Sequence, residues 1–384
     1  MINKFILTLI YLIFFFNSNI LSEENKKILK VGLLAPLTGQ YSGLGNSILY
    51  SLQLALEELG DENVFIFPKD SGFNNKEKLN KAIQDIKLEG IKVVIGPIEH
   101  KDFKDVKKYN DLIFISPSNI DPNFNENIIS IGINLESQLI ALINFIEKQK
   151  KKKTLIMYPK NQYSEFIEKK IEKLNLNKIK TFMYNSNPEV LTGEIETLTN
   201  YTKRKKNLEL RKKMFMDKED EESIKELARL ERVYTLGEVN FDSVIIIDFG
   251  HNLKSVLTSL VYTDVDQEKV LFTTINQWFE ESIFNENTIK NLYYPSINHE
   301  EFKKYNDKYF KKFKSYPNEI SILTYDALGL IYYAWKTKGQ VQSINDFSFN
   351  KKIQGKLGTY SLKGKEVFQE LDIYKTEKNR FKKF

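Results

Sequence analysis

The sequence predicts an α/β protein made of two lobes, each built on a parallel sheet. Short apolar runs alternate with amphipathic stretches at the spacing of βαβ units, and such units require parallel strands. The alternation begins at residue 30 and restarts after residue 128. A chain of 384 residues is too long for one small domain and suits two lobes of ordinary size.

The opening unit, residues 30–59, has the pattern strand, glycine-rich loop and helix. Residues 31–35 form an apolar run of strand length, and residues 48–59 carry apolar side chains at helical spacing. Asn46 or Ser47 is placed to cap the first turn of that helix. In open α/β sheets ligands bind beyond the carboxyl ends of the strands, so we expect this glycine-rich loop to lie at the ligand-binding edge of the sheet. Its turns are expected to be shaped by Pro36, Gly39, Gly43 and Gly45.

The remaining elements follow in chain order. Further strands of the first lobe are predicted at residues 63–67, 91–95 and 112–115, with a helix at 76–88. Residues 128–131 are a strand or a crossover, and the second lobe has strands at 154–157, 178–183, 243–247 and 270–274 and helices at 135–149 and 163–174. A heavily charged insertion, residues 193–239, predicts one or two helices. Two more helices, at 300–313 and 319–335, precede a β-rich tail over 355–374.

The first residues predict a secretory signal peptide over residues 1–22. Lys4 precedes an apolar stretch at 5–16, and a polar step with small residues follows before Glu23. The apolar stretch is short for a membrane span, which needs about 20 residues, and an uncleaved anchor stays the alternative. The sequence has no cysteine, which excludes disulfides, thiol nucleophiles and a lipidated cysteine. We therefore expect a soluble protein of the periplasm that carries no lipid anchor.

The composition and motifs indicate neither an enzyme nor a nucleic-acid-binding protein. The formal net charge is +6, and lysines alternate with acidic residues without forming a compact basic patch. His299 opens a stretch like a zinc-protease helix, but the second histidine is missing. Gly43 and Gly45 lack the third glycine of a dinucleotide loop. We expect no cofactor and no metal, and carboxylates assembled across a cleft stay the open route to catalysis.

Four motifs in the same order resemble one family. They are VGLLAPLTGQYSGLGNSILYSLQLALEE, then VVIGP with IFISPSN, then FDSVIIIDFG, and then LTYDALGLIYYAWKTKG. After a signal peptide, this order resembles the type I periplasmic solute-binding proteins of the leucine-binding group, over nearly all of residues 30–384. The resemblance implies two lobes joined by a three-segment hinge, with ligand in the cleft and closure by hinge motion. The first lobe would take residues 28–133 and 276–345, and the second 134–275 and 346–384.

One branch of the family is more similar. The stretch ARLERVYTLGEVNFDSVIIIDFG, followed by VYTDVDQEKVLFTTINQW, resembles the penicillin-binding-protein activators, and so does the charged insertion before Tyr234. Those proteins use the fold to stimulate a peptidoglycan synthase. Their membrane-anchored members carry a lipidated cysteine, which this chain lacks.

In the first lobe, the amino-acid receptors of the family imply ligand contacts after two strands. Ser116, Ser118 and Asn119 match the loop after the fourth strand, although an isoleucine follows where a threonine hydroxyl is expected. Glu99 and His100 replace the small hydroxyl-rich anchor that follows the third strand. The alternatives are that Ser118 and Asn119 cap a helix or close a turn, and that Glu99 and His100 face solvent.

In the second lobe, the resemblance implies three further ligand contacts. Tyr163 matches the tyrosine that opens a helix and covers the ligand. Asp248 and Gln277 lie beyond the ends of two strands, where a partner for an ammonium group is expected. The alternatives are that Tyr163 packs on the surface and that Asp248 caps the helix after Phe249.

Two functions remain open at this point. The first is a receptor that binds a small polar solute, such as an amino acid, and delivers it to the membrane subunits of an ABC importer. The second is a non-catalytic regulator of peptidoglycan synthesis that contacts a synthase through the insertion. We expect an open cleft in a receptor, and in a regulator a cleft filled by side chains such as those of Glu99, His100, Ile120 or Trp278.

Overall fold

The computed structural model describes residues 27–120, 126–176, 179–278, 291–377 and 380–384, so the predicted signal peptide lies outside the described residues. The strands are β1 (Leu29–Ala35), β2 (Val64–Asp70), β3 (Val93–Ile95), β4 (Ile113–Ser116), β5 (Ile128–Ser130), β6 (Thr154–Pro159), β7 (Lys180–Tyr184), β8 (Ser243–Ile246), β9 (Leu271–Thr274), β10 (Tyr293–Ser296), β11 (Ile353–Gln354), β12 (Thr359–Lys363), β13 (Glu366–Glu370), β14 (Asp372–Glu377) and β15 (Arg380–Lys383).

The helices are α1 (Ser42–Leu59), α2 (Lys76–Leu88), α3 (Phe103–Val106), α4 (Leu135–Lys148), α5 (Ser164–Lys173), α6 (Pro188–Leu198), α7 (Tyr201–Met216), α8 (Glu221–Leu230), α9 (Gly250–Tyr262), α10 (His299–Phe313) and α11 (Ser321–Lys338). In the described part of the chain, no helix combines the length and apolar composition that crossing a membrane requires.

The first lobe is built on a five-stranded sheet in the order β2-β1-β3-β4-β5, and all its pairs are parallel. The strands predicted at residues 31–35, 91–95 and 112–115 are therefore neighbours, as the sequence analysis requires. Leu33 and Ile115 enter the apolar core on one face of the sheet, and Leu34 and Phe114 enter the core on the other. Because both faces are covered, the strands are continuous apolar runs.

The second lobe is built on a seven-stranded sheet in the order β15-β14-β10-β9-β8-β6-β7. The strands from β6 to β10 pair in parallel, whereas β14 and β15 add to the sheet as antiparallel strands. Val244 and Ile246 enter the core on one face, and Ile245 enters the core on the other. The predicted α/β architecture with two lobes is confirmed, with an antiparallel edge that the sequence analysis did not predict.

Two segment boundaries lie later in the chain than the predicted division places them. β10 lies beyond residue 276, but it pairs with β9, so the chain leaves the second sheet only after Ser296. β11, β12 and β13 form a separate antiparallel sheet, and Leu357, Tyr360 and Leu362 are fully buried in the core of the first lobe. The last segment, predicted at residues 346–384, therefore joins the second sheet only from β14 onwards.

A buried carboxylate holds this small sheet on the first lobe. Asp326, in α11, accepts hydrogen bonds from the backbone N–H groups of Lys356 (2.7 Å) and Leu357 (3.1 Å) and from the hydroxyl of Tyr360 (2.9 Å). Burial raises the pKa of Asp326 to about 6, and these hydrogen bonds act in the opposite direction. The later boundary follows from this anchor, because it ties residues 356–360 to a helix of the first lobe.

The charged insertion forms most of three helices, α6, α7 and α8, where one or two were predicted. Leu208 of α7 and Leu230 of α8 are buried. The guanidinium of Arg204, also in α7, donates to the backbone carbonyls of Thr263 and Asp264, which fixes the helix to the second lobe. Large apolar side chains that stay more than half exposed on this insertion are Leu210, Met214, Met216, Ile224 and Tyr234.

Candidate functional site

A cavity of about 590 Å³ lies where the two lobes meet. Its walls are loops that follow β3, β4, β8 and β9, together with the start of α11, so it lies at the carboxyl ends of strands from both sheets. Small-molecule sites typically enclose about 300 to 1,000 Å³. A larger cavity of about 670 Å³ lies at the amino ends of β6 and β7 and is lined by one lobe only. The interlobe cavity is lined by Ile98, Glu99, His100, Pro117, Ser118, Asn119, Ile133, Gln138, Phe249, Gly250, Ile275, Asn276, Gln277, Trp278, Glu319, Ile320 and Leu323.

The loop after β3 supplies two of the predicted residues. Glu99 and His100 both line the cavity and are half-buried. Burial lowers the pKa of His100, although the neighbouring Glu99 carboxylate acts to raise it. His100 therefore contributes a neutral ring at neutral pH, and Glu99 contributes a carboxylate.

The loop after β4 is held by its own serines. Ser116 is fully buried and does not line the cavity, because its hydroxyl donates to the carbonyl of Pro97 (2.6 Å) and accepts from the N–H of Ser118 (3.2 Å). The hydroxyl of Ser118 donates to the carbonyl of Ile120 (3.2 Å) and accepts from its N–H (3.1 Å). Ser118 and Asn119 both line the cavity, and Asn119 is exposed. The serines thus fix the loop shape that presents Asn119.

A glycine packed against this loop restricts where the loop can lie. An added Cβ at Gly132 would lie 2.2 Å from the carbonyl oxygen of Ser118 and 2.4 Å from the backbone nitrogen of Asn119. The N–H of Gly132 also donates to that carbonyl (3.0 Å). Gly132 follows β5 at the first crossing into the second lobe, so the crossing and the cavity wall are packed against each other.

On the second lobe, Asp248 lies behind the cavity wall rather than in it. Its carboxylate accepts a hydrogen bond from the hydroxyl of Tyr184 (2.6 Å) and another from the N–H of Phe249 (2.9 Å), and its side chain is buried. Burial raises the pKa of Asp248, although the hydrogen bond from Tyr184 acts to lower it. The carboxylate therefore lies at the start of α9, close to where the capping alternative placed it.

The structure places Gln277 in the cavity wall and Tyr163 outside it. Gln277 is buried and lines the cavity, and its amide nitrogen donates to the carbonyls of Asp248 (3.0 Å) and Ile275 (3.1 Å). Tyr163 packs against the apolar core of the second lobe and does not line the cavity. Its ring centroid lies 6.4 Å from that of His100, which belongs to the other lobe. Tyr163 therefore lies at the edge of the interlobe space.

Among the lining residues that were not predicted as ligand contacts, three hold the cavity walls in place: Gln138, Asn276 and Trp278, the last of which the sequence analysis considered as a cleft-filling side chain. The buried Gln138 donates to the carbonyl of Ile133 (2.8 Å) and accepts from the N–H of Asn276 (2.7 Å), so it joins the first crossing between the lobes to the loop after β9. Trp278 has a positive φ of 51° and packs against the core of the first lobe, although it follows a strand of the second. Asn276 and Trp278 belong to the motif VYTDVDQEKVLFTTINQW, whereas Gln138 belongs to no motif, so the sequence carried no signal for Gln138.

The glycine loop after β1 shapes this end of the first lobe without lining the cavity. Asp70, which ends β2, accepts hydrogen bonds from the N–H of Leu37 (2.9 Å) and the hydroxyl of Thr38 (2.5 Å). A Cβ at Gly45 would lie 2.2 Å from the carbonyl oxygen of Pro36, so the chain needs glycine there. These contacts agree with the shaping role predicted for the glycines.

Comparisons with known proteins agree with this fold. Residues 28–174 match the family described as Periplasmic binding protein. A branched-chain amino acid ABC transporter periplasmic ligand-binding protein from Burkholderia xenovorans superposes with a TM-score of 0.61 at 10% identity, covering 93% of this chain and 94% of that one. The chain has the type I periplasmic binding protein fold.

Two further solved structures share this fold. The leucine-binding protein LivK from Thermotoga maritima has a TM-score of 0.56 at 12% identity, covering 93% of this chain and 98% of that one. The C-domain of LpoA from Haemophilus influenzae, a regulator of PBP1A, has a TM-score of 0.59 at 14% identity, covering 92% of this chain and 99% of that one. No curated protein sequence matches the chain. Both resemblances drawn from the motifs are confirmed, and identities this low establish the fold alone.

Proposed function

We propose that this chain is a non-catalytic receptor of the periplasm that binds a small polar solute, such as an amino acid, between its lobes. The observation that supports this proposal is the cavity of about 590 Å³ with walls from both lobes. A solute that contacts both walls binds the closed state better than the open state, and it therefore shifts the population towards closure. The proposed protein partners are the membrane subunits of an ABC importer.

The proposed contacts divide into two sets. Residues that face the solute are Glu99, His100, Ser118, Asn119 and Gln277, because they line the cavity. Residues that support the walls are Ser116, Tyr163 and Asp248, because their side chains lie behind or beside it. The periplasmic location is proposed from the family match over residues 28–174 and from the predicted signal peptide.

A thermal-shift screen against amino acids and other small polar solutes tests the proposal. A solute at one hundred times its dissociation constant adds about 2.7 kcal/mol to the free energy of unfolding. We expect Asn119→Trp, which places an indole in the cavity, to abolish the shift. Asn207→Trp is the matched control, because Asn207 is exposed on α7 and far from the cavity lining. A shift that survives Asn119→Trp would place the binding elsewhere.

Closure can be measured separately from binding. The sequence has no cysteine, so Lys104→Cys and Lys160→Cys would provide two unique labelling sites, both exposed and on different lobes. We expect a solute found in the screen to change energy transfer between dyes at these positions. Binding without any change in transfer would contradict closure while leaving binding intact.

A second candidate is regulation of a peptidoglycan synthase, and the observation that favours it is the surface of α7 and α8. The α7 helix carries seven lysines or arginines and one glutamate, and large apolar side chains remain exposed beside them. Met214→Glu and Ile224→Glu would each place a carboxylate in this surface. We expect both to weaken binding to the extracytoplasmic part of a synthase in biosensor measurements if this candidate holds, with no effect on solute-induced shifts.

A further inference from the structure

The described walls of the interlobe cavity contain acidic side chains and no lysine or arginine. Glu99 comes from the loop after β3, and Glu319 lies before α11. The lining histidine, His100, has a pKa lowered by burial, so its ring does not offset the carboxylates at neutral pH. The charged side chains of the described walls are therefore both acidic.

Glu99 carries most of this argument. Its side chain is half-buried in the cavity wall, and among the described residues nothing forms an ion pair or a hydrogen bond with its carboxylate. The charge of Glu99 also acts on its surroundings: burial and the carboxylates of Glu99 and Asp105 together raise the pKa of Asp102 to about 6. A half-buried carboxylate without a partner is costly, and a cation in the cavity would stabilise it.

Gln277 adds an independent acceptor on the opposite wall. Its side chain is 8% exposed, and its amide nitrogen is committed to the carbonyls of Asp248 and Ile275. This orientation directs the amide oxygen away from those carbonyls, and no described residue donates a hydrogen bond to it. The amide oxygen of a residue that lines the cavity can accept a hydrogen bond from a ligand that brings an N–H group.

The groups that would hold a carboxylate are already engaged. The hydroxyl of Ser116 donates to Pro97, and that of Ser118 donates within its own turn. The start of α9 would attract an anion, but the carboxylate of Asp248 is already there and accepts from the N–H of Phe249. In the described walls, the cavity therefore offers acceptors to an ammonium group and few donors to a carboxylate.

The remaining walls are largely apolar and would pack against the hydrocarbon part of a ligand. Phe249 and Trp278 present aromatic rings, and their faces also attract cations. Isoleucine and leucine side chains complete this part of the lining at Ile98, Ile133, Ile275, Ile320 and Leu323.

We propose that the preferred ligand of this cavity is an organic cation, an amine with an apolar body, and that it needs no carboxylate. In the complex, the ammonium group donates to the carboxylate of Glu99 and the amide oxygen of Gln277, while the apolar body packs against Phe249 and Trp278. This inference rests on the proposed solute-binding function and narrows the solute class from polar solutes in general to amines.

Two matched sets of probes test the inference by calorimetry and thermal shift on the full chain. Each set shares one hydrocarbon body: isoamylamine, L-leucine and isocaproate in the first, and phenethylamine, L-phenylalanine and hydrocinnamate in the second. We expect the amine of at least one set to bind, and to bind more tightly than the amino acid and the carboxylate. Glu99→Gln should weaken amine binding about tenfold to hundredfold, the range of a hydrogen bond to a charged group.

Glu89→Gln is the matched control, because Glu89 is exposed on the same lobe and does not line the cavity. It should leave amine affinity unchanged. Binding of amino acids or carboxylates in preference to both amines would overturn the inference while the proposed function stands. Amine binding that Glu99→Gln does not weaken would also overturn it. If none of the six probes binds, both the inference and the proposed function fail for these solutes.

Discussion

Replacing Gly132 by alanine should destabilise the protein and impair binding together. The added Cβ would meet three backbone atoms at 2.2, 2.3 and 2.4 Å, all in the peptide group that joins Ser118 to Asn119. Ordinary van der Waals contact begins at 3.4 Å, so one of the two backbones must move by about 1 Å. The peptide is held in place by the hydrogen bond between Gly132 and Ser118 and by the buried hydroxyl of Ser116. Overpacking of this kind costs about 1 to 3 kcal/mol.

The assay is urea unfolding of Gly132→Ala beside the wild-type protein and Gly193→Ala. Gly193 is in α6, and an added Cβ there meets nothing within 4 Å. The control should gain about 0.5 to 1 kcal/mol, because alanine favours a helix over glycine. The two substitutions should thus change stability in opposite directions. The reasoning is refuted if Gly132→Ala unfolds at the wild-type midpoint, or if it loses stability and still binds a solute with unchanged affinity.

Three further predictions concern buried or half-buried ionisable groups. Glu136→Gln should lower the free energy of unfolding in denaturant by about 3 to 5 kcal/mol, because it removes the carboxylate that lies 2.6 Å from the buried ammonium of Lys170. A double variant that also carries Lys170→Met should lose less. An equal loss in the single and the double variant would contradict this prediction. Tyr184→Phe should lower the free energy of unfolding by about 1.5 to 3 kcal/mol at pH 7, because it removes a hydrogen bond to the Asp248 carboxylate. This loss should become smaller in acid as the Asp248 carboxylate is protonated. A loss that does not depend on pH would contradict this prediction. The folded state holds the pKa of Asp102 at about 6, above the ordinary 3.8, so it binds more protons than the unfolded chain between these values. The stability contributed by Asp102 therefore falls as the pH rises from about 4 to 6. In thermal melts, the stability of Asp102→Asn relative to the wild-type protein should rise across the same pH range.

The fold could be predicted because its strands are buried on both faces. Continuous apolar runs such as residues 31–35 and 112–115 indicate parallel strands, and the structure places them in one sheet, on either side of β3. The small sheet of β11, β12 and β13 could not be assigned to a lobe from the sequence. Its position depends on contacts to the buried Asp326, and such contacts have no local pattern.

The site was predicted only in part, for a related reason. Strand ends locate Glu99, Ser118, Asn119 and Gln277 at the cavity, because the carboxyl edge of a parallel sheet follows from the strand order. Which way a side chain faces depends on its hydrogen bonds instead. Asp248 is turned to Tyr184, a partner 64 positions away in the sequence, so spacing alone carries no information about it.

The amide of Gln138 has a mechanical consequence. Its nitrogen donates to the carbonyl of Ile133 in the first crossing between the lobes, its oxygen accepts from the N–H of Asn276 in the loop after β9, and the amide also lines the cavity. The first crossing and this wall of the second lobe cannot slide past each other while both hydrogen bonds persist. One amide side chain thus fixes part of the cavity wall and its position relative to the first crossing.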